Sequence, residues 1–149
     1  MFDQQIFADR LSEQMLLHEY DVKTLASVLN VTPSTIYNLK KGRYKQPDTE
    51  VFFQIIEHFN VSADYMLGFI EFPSENIIYY PPLRQYGNKI RRLLQEKAIK
   101  QSTLITDLKI SSNLLYKWLA KDTLPTVESL IKLSNYFDIS IDTFIERIK

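Results

Sequence analysis

The sequence predicts an all-α fold made of two tandem copies of one five-helix unit. Apolar residues recur every three or four positions within short segments, which is the spacing of one helix face. Segment 25–42 aligns with segment 104–121 at a constant offset of 79 residues, and segment 47–64 aligns with segment 125–142 at an offset of 78. A repeat of this length indicates two structural units of about 60–65 residues, each large enough for its own core.

Capping residues locate the ends of the predicted helices. Asp21, Thr32 and Asp48 each precede an apolar segment and can accept a hydrogen bond from the first helical turn. Pro33 suits the first position of a helix, and Gly42 can end the same helix. The predicted helices are 3–19, 22–29, 33–41, 48–59 and 63–69 in the first copy, and 84–97, 101–108, 112–120, 127–137 and 141–148 in the second.

Three residues join the second and third helices of each copy, 30–32 in the first and 109–111 in the second. Such a short turn needs a first residue with positive φ, which Asn30 tolerates and which costs Lys109 about 1 kcal/mol. Val31 and Ile110 then fill the angle between the two helices. Two short helices joined in this way form a helix-turn-helix.

The fifth helix of the first copy has its own start signal. Ser62 is the predicted N-cap, and Asp64 lies in the first turn, where a carboxylate favours the dipole of its own helix. Asp142 occupies the equivalent position of the second copy, after Ser140.

The composition excludes several classes of function. The chain of 149 residues has no cysteine, which excludes disulfides, thiolate catalysis and cysteine-bound zinc. His18 and His58 stand apart from other potential ligands, so they are interpreted as helix-surface or boundary residues, and neither a metal nor a cofactor is predicted. No apolar run approaches the roughly 20 residues of a membrane span, and the N-terminal segment lacks the basic start of a signal peptide. We therefore expect a cytoplasmic protein without a membrane partner.

The distribution of charge is more informative than its total, which is zero. Residues 1–72 carry 6 basic and 10 acidic side chains, whereas residues 73–149 carry 12 basic and 8 acidic ones. Four of the six basic residues in the first half fall between Lys40 and Lys45. This pattern predicts a concentrated basic edge on an otherwise acidic unit.

Both copies resemble the Cro/cI-type (XRE) family of phage repressors at the motifs around their helix-turn-helix. The matching residues are Leu25-Ala26, Asn30-Val31-Thr32, Leu39, Gly42, Pro47 and Val61-Ser62 in the first copy, and Gln101, Leu104, Ile110-Ser111, Trp118, Pro125 and Ile139-Ser140-Ile141-Asp142 in the second. The resemblance implies two lambda-repressor-like helix-turn-helix domains at residues 1–70 and 84–149. A connector rich in proline and aromatic residues joins them at residues 71–83.

The resemblance also implies which residues contact double-stranded DNA, because the family inserts its third helix into the major groove. The expected base-reading residues are Pro33, Ser34, Thr35 and Asn38 in the first copy and Ser112, Asn113 and Lys117 in the second. Asparagine can bind adenine through two hydrogen bonds, and lysine can reach guanine. The expected phosphate-binding residues are Lys40, Lys41, Arg43, Lys45, Gln101 and Lys121. For the basic cluster, the alternative is a solvated charged loop.

The second copy is the weaker candidate for reading DNA. It has Leu114, Leu119 and Ala120 where the first copy has Thr35, Lys40 and Lys41. Outward leucines suit contact with protein or with a thymine methyl group, so this helix is a candidate surface for a homodimer or another partner. Basic residues crowd its first helix instead, where they can approach the DNA backbone or face solvent: Lys89, Arg91, Arg92, Lys97 and Lys100.

The remaining aromatic residues are interpreted as structural. Tyr37 and Tyr116 are expected to pack at the edges of their domains, and Trp118 is expected in a core. In the connector, residues 77–80 are apolar or aromatic and are expected to pack on one or both domains.

These observations favour a sequence-specific DNA-binding regulator, acting as a repressor of bacterial or phage type by occupying its operator. The alternative is a protein-interaction module in which one or both units, and more readily the second, bind a partner or mediate dimerisation. An enzyme is not expected, because the carboxylates are scattered and no nucleophile lies beside a base. No small-molecule effector is evident from the sequence.

Overall fold

The computed structural model describes residues 2–74 and 76–148 of the chain. In this part of the chain all regular secondary structure is helical. The N-terminal unit contains α1 (Gln4–Leu17), α2 (Val22–Leu29), α3 (Pro33–Lys40), α4 (Thr49–Phe59) and α5 (Ala63–Met66), and the C-terminal unit contains α6 (Gly87–Glu96), α7 (Gln101–Leu108), α8 (Ser112–Ala120), α9 (Val127–Tyr136) and α10 (Ile141–Phe144).

The predicted helix starts are confirmed where a side chain caps the helix. Asp21, Thr32 and Asp48 accept hydrogen bonds from the backbone N–H groups of the first turns of α2, α3 and α4. Helices α5 and α10 are shorter than predicted because Gly68 (φ 89°) and Glu146 (φ 60°) adopt left-handed backbone conformations that a helix cannot continue through.

The first helix of the C-terminal unit begins at Gly87, three residues later than predicted. The preceding segment is held along the end of the chain instead: the N–H of Tyr80 donates to the carbonyl of Arg147 at 2.9 Å, and the N–H of Leu83 donates to that of Ile145 at 2.8 Å. In both bonds the donor is a backbone N–H group of the connector and the acceptor is a carbonyl just after α10.

The turn of each helix-turn-helix has the predicted geometry. Asn30 has φ 57° and Lys109 has φ 54°, so the lysine adopts the left-handed conformation that its β-carbon disfavours. Val31 and Ile110 are half-buried and pack against the core, as predicted. Trp118 is 1% exposed, which confirms its place in the core.

The two units contact each other through equivalent residues. The carboxylate of Asp64 accepts hydrogen bonds from the N–H groups of Ile141 (3.0 Å) and Asp142 (2.9 Å). The carboxylate of Asp142 accepts hydrogen bonds from the N–H groups of Ala63 (2.8 Å) and Asp64 (3.3 Å). Each aspartate therefore caps the short helix of the other unit, a role that the sequence did not predict for Asp64 beside its place in the first turn of α5.

A second contact joins the loops that follow α3 and α8. The hydroxyl of Thr49 donates to the carbonyl of Pro125 at 2.7 Å, and the N–H of Glu128 donates to the side-chain oxygen of Gln46 at 2.8 Å. Pro47 aligns with Pro125 and Glu50 with Glu128 in the repeat, so equivalent segments of the two units meet here, although these two hydrogen bonds are not reciprocal. Reciprocal contact between equivalent segments is the signature of a two-fold relation, here within one chain.

Arg147 breaks this symmetry and locks the two units together. Its guanidinium is 1% exposed and donates to the carbonyls of Ile56 (3.1 Å) and Val61 at the end of α4. It also lies 3.5 Å from a carboxylate oxygen of Asp142 and 4.4 Å from the ring centroid of Tyr79. Burial lowers the pKa of Arg147, and the Asp142 carboxylate opposes this effect.

The connector packs less completely than its sequence predicts. Tyr79 packs against Arg147, and its N–H donates to the side chain of Asn60 at 3.0 Å. Ile78, by contrast, is 87% exposed, so the expectation that it packs on a domain is wrong. The connector is held mainly by backbone hydrogen bonds, which do not depend on the side chain of Ile78.

Candidate nucleic-acid interface

Helix α3 is positioned by a cap at its start and a left-handed residue after its end. The hydroxyl oxygen of Thr32 accepts the N–H of Thr35 at 3.3 Å, and Gly42 has φ 66°. The helix buries Ile36 and Leu39 against the core. Its opposite face is thereby left available to solvent.

The base-reading residues expected on α3 lie on that open face. Pro33 and Ser34 are exposed, and Thr35 is half-buried, with its hydroxyl 2.9 Å from the hydroxyl of Thr32. The amide nitrogen of Asn38 lies 3.4 Å from the hydroxyl oxygen of Ser34. Ser34 and Asn38 are therefore neighbours on this surface.

Asn38 is the centre of a small polar network. Its amide nitrogen lies 3.5 Å from the hydroxyl oxygen of Tyr44, and its amide oxygen accepts a hydrogen bond from Arg43 at 3.3 Å. Tyr44 was not among the residues predicted from the sequence to contact DNA, although it lies within the basic stretch 40–45. A tyrosine hydroxyl can donate to a DNA phosphate.

The basic residues that follow α3 are arranged around Tyr37. The Nζ of Lys41 lies 5.6 Å from the centroid of the Tyr37 ring, and the guanidinium carbon of Arg43 lies 5.3 Å from it. Tyr37 is 44% exposed, so its ring is partly covered at the surface of the domain and has two cations near it. Lys40 is half-buried and Lys45 is exposed.

Helix α8 presents the corresponding residues of the second unit. Ser112, Asn113 and Lys117 are all exposed, as is Gln101 at the first position of α7. The Nζ of Lys121 lies 5.9 Å from the ring centroid of Tyr116. Tyr116 is 51% exposed, so about half of its surface is covered.

The expectation that Leu114 and Leu119 form an outward apolar surface is wrong. Both are half-buried and pack against the core, beside the fully buried Leu115 and Trp118. Helical spacing explains this, because Leu114 and Trp118, and likewise Leu115 and Leu119, are four residues apart on adjoining rows. The partner surface expected on α8 therefore lacks the outward leucines that suggested it.

Several basic side chains of α6 are engaged within the C-terminal unit. Arg91 donates to the carbonyl of Leu119 at 2.9 Å, and Lys89 and Arg92 lie 3.4 and 3.5 Å from the carboxylate of Glu146. These contacts hold the first helix of the unit against α8 and the end of α10.

The two histidines are exposed and lie near one aromatic ring. The ring centroids of His18 and His58 lie 5.1 and 5.2 Å from that of Phe59. Partial burial, and secondarily the charge of His18, lowers the pKa of His58. Within residues 2–74 and 76–148, no group of three or more His, Asp or Glu side chains is placed to hold a metal ion. No helix in the described residues has the length and apolar character that a membrane crossing requires.

Comparison with known protein families gives one match for each unit. Residues 11–66 match a helix-turn-helix family, and residues 89–149 match the Cro/C1-type helix-turn-helix DNA-binding domain. Comparisons with curated proteins and with solved structures give no significant match. The two matched segments include both helix-turn-helix motifs and most of the chain. The chain therefore belongs to the Cro/C1-type helix-turn-helix family, as a tandem pair of such domains, and is a DNA-binding regulator.

Proposed function

We propose that this regulator is a repressor that occupies an operator in duplex DNA and thereby excludes RNA polymerase. The supporting observation is the open face of α3, where Ser34 and Asn38 lie beside the basic side chains of the following loop. In this proposal, residues 1–70 and 84–149 are the two DNA-binding domains, and residues 71–83 connect them. The chain acts in the cytoplasm, where it has direct access to the DNA.

The N-terminal unit is the principal reader in this proposal. Four cations lie close to its reading helix: Lys40, Lys41, Arg43 and Lys45. Phosphate contacts of this kind supply most of the affinity for DNA, whereas base contacts supply the choice of sequence. The C-terminal unit has Leu119 and Ala120 at the positions of Lys40 and Lys41, so it contributes fewer phosphate contacts.

The base-reading assignments follow from side-chain chemistry. Asn38 can bind adenine through N6 and N7, and Lys117 can donate to guanine O6 and N7. The hydroxyls of Ser34, Thr35 and Ser112 can serve several bases, and Asn113 can again serve adenine. Gln101 and Lys121 flank the second reading helix and are assigned to phosphates.

The salt dependence of binding tests the proposal. Affinity for a duplex should fall steeply as salt rises, and replacing Lys40, Lys41, Arg43 and Lys45 together by alanine should lower the slope of log affinity against log salt by about one for each lost phosphate contact. The control replaces the exposed Lys132, on α9, by alanine. An unchanged slope in the quadruple variant, or an equal change in the control, would show that the loop does not bind DNA.

A further inference from the structure

The two reading helices are equivalent elements about a pseudo-two-fold axis. Contact between equivalent segments occurs at the axis of a two-fold arrangement, and the chain has two such contacts. One joins α5 and α10, through Asp64 and Asp142, and the other joins the segments around the starts of α4 and α9, at 46–49 and 125–128. The axis therefore passes through these two contacts, and α3 and α8, as equivalent elements, lie at the same height along it.

The pairing of the units is fixed by buried polar contacts. Asp64 and Asp142 are 7% and 4% exposed, and each is bonded to the backbone of the opposite unit. Arg147 adds two hydrogen bonds to the carbonyls at the end of α4. Separating the units would leave these groups without their partners, which is costly for buried charged groups. The spacing of the reading helices is therefore set within one chain.

The same contacts occupy the surface through which a second copy would otherwise pair. Ala63, Asp64 and Met66 of α5 are buried, as are Ile141, Asp142 and Phe144 of α10. Neither short helix is open to a further chain along the axis. One chain thus already has the two-fold arrangement that helix-turn-helix proteins commonly reach by forming a homodimer.

The two reading helices differ in chemistry. Equivalent positions carry Ser34 and Asn113, Thr35 and Leu114, and Asn38 and Lys117. Asparagine favours adenine and lysine favours guanine, so the two helices cannot prefer the same bases. A chain with this arrangement discriminates against a perfect palindrome.

We propose, on the basis of the DNA-binding function above, that one chain binds one operator composed of two unlike half-sites in inverted orientation. The half-sites lie in successive major grooves on one face of the duplex, about 10–10.5 base pairs from centre to centre. The complex contains one chain for each duplex. The homodimer expected from the sequence is replaced by the internal pair of units.

The test uses the full chain and duplexes of about 30 base pairs selected by it from a random pool, a length that leaves flanking DNA on both sides of two half-sites. Sedimentation of the complex should give one chain for each duplex. A symmetrised duplex, in which the second half-site is replaced by an inverted copy of the first, should bind at least about tenfold more weakly, because each mismatched base pair costs about 1–3 kcal/mol. Inserting about 5 base pairs between the half-sites turns them to opposite faces and should also weaken binding at least about tenfold.

Two alanine variants assign each half-site to its helix. Asn38→Ala should weaken binding to the selected duplex but not to a duplex whose first half-site is scrambled. Lys117→Ala should weaken binding to the selected duplex but not to a duplex whose second half-site is scrambled. Two chains for each duplex, tighter binding to the symmetrised duplex, or indifference to the 5-base-pair insertion would each overturn the inference while leaving DNA binding intact. Failure to enrich any duplex over the random pool would instead overturn the proposed function itself, and the inference with it.

Discussion

At the scale of single residues, Asn38 is the side chain whose surroundings most favour contact with a base. Ser34, Arg43 and Tyr44 hold its amide from three sides without burying it fully. An amide held in one place loses less conformational entropy when it binds a base than a free side chain does. The network therefore favours a role in base choice over a role in the core.

Replacing Asn38 by alanine should weaken binding to the preferred duplex by about 1–3 kcal/mol, and binding to random duplexes much less. The measurement is a titration of both duplexes at one salt concentration. Gln95→Ala is a matched control, because Gln95 is an exposed amide on α6. Equal losses on both duplexes would make Asn38 a contact to the DNA backbone.

Asp64 is the second informative residue, because it titrates within the contact between the units. Burial, followed by the neighbouring Asp142, raises its pKa from 3.8 to about 6, although the hydrogen bonds from backbone N–H groups oppose this rise. The folded state therefore holds this proton more tightly than the unfolded state does. By linkage, the stability that this proton contributes is present below about pH 4 and is lost as the pH rises towards 6 and above.

The stability of the natural chain relative to Asp64→Asn should accordingly increase as the pH is lowered from 7 to 5, by on the order of 1 kcal/mol. Urea unfolding of both proteins at several pH values measures this difference. Asp21→Asn is the control, because hydrogen bonds from Thr24 lower the pKa of Asp21, so its difference from the natural chain should stay constant between pH 7 and 5. A difference for Asp64→Asn that stayed constant with pH would contradict the raised pKa.

At the scale of elements, the sequence predicted helices well where a side chain marks the boundary. Thr32 with Pro33 placed the start of α3, and Asp48 placed that of α4 to within one residue. The end of α10 was missed, because it is set by the positive φ of Glu146. Such a residue adopts positive φ because of its tertiary surroundings, which local sequence does not report.

The turn between α7 and α8 gives a prediction at this scale. Lys109 has φ 54°, which asparagine adopts at lower cost, as Asn30 does in the equivalent turn. Lys109→Asn should therefore raise the free energy of unfolding by up to about 1 kcal/mol in urea denaturation. Lys97→Asn is the matched control, because Lys97 has φ −97° and should give no such gain. An equal response of the two variants would mean that backbone strain at Lys109 is not the cause.

At the scale of the whole molecule, the sequence revealed the repeat but not how its two copies meet. Asp64 and Asp142 have the positions of first-turn carboxylates, and sequence alone cannot distinguish one that serves its own helix from one that caps a neighbour. The role of Arg147 could not be predicted from the sequence either, because its hydrogen-bond partners in the other unit are backbone carbonyls. The candidate reading surfaces, in contrast, followed from local motifs and from the family resemblance.

The measurement that tests the central claim most directly is selection of duplexes by the full chain from a random pool, followed by sequencing. If α3 and α8 both read DNA from one face, the recovered duplexes should share two short conserved blocks, unlike each other and about one helical turn apart. Recovery of sequences with no shared block, at affinities equal to that of the starting pool, would contradict the claim that this chain is a sequence-specific regulator.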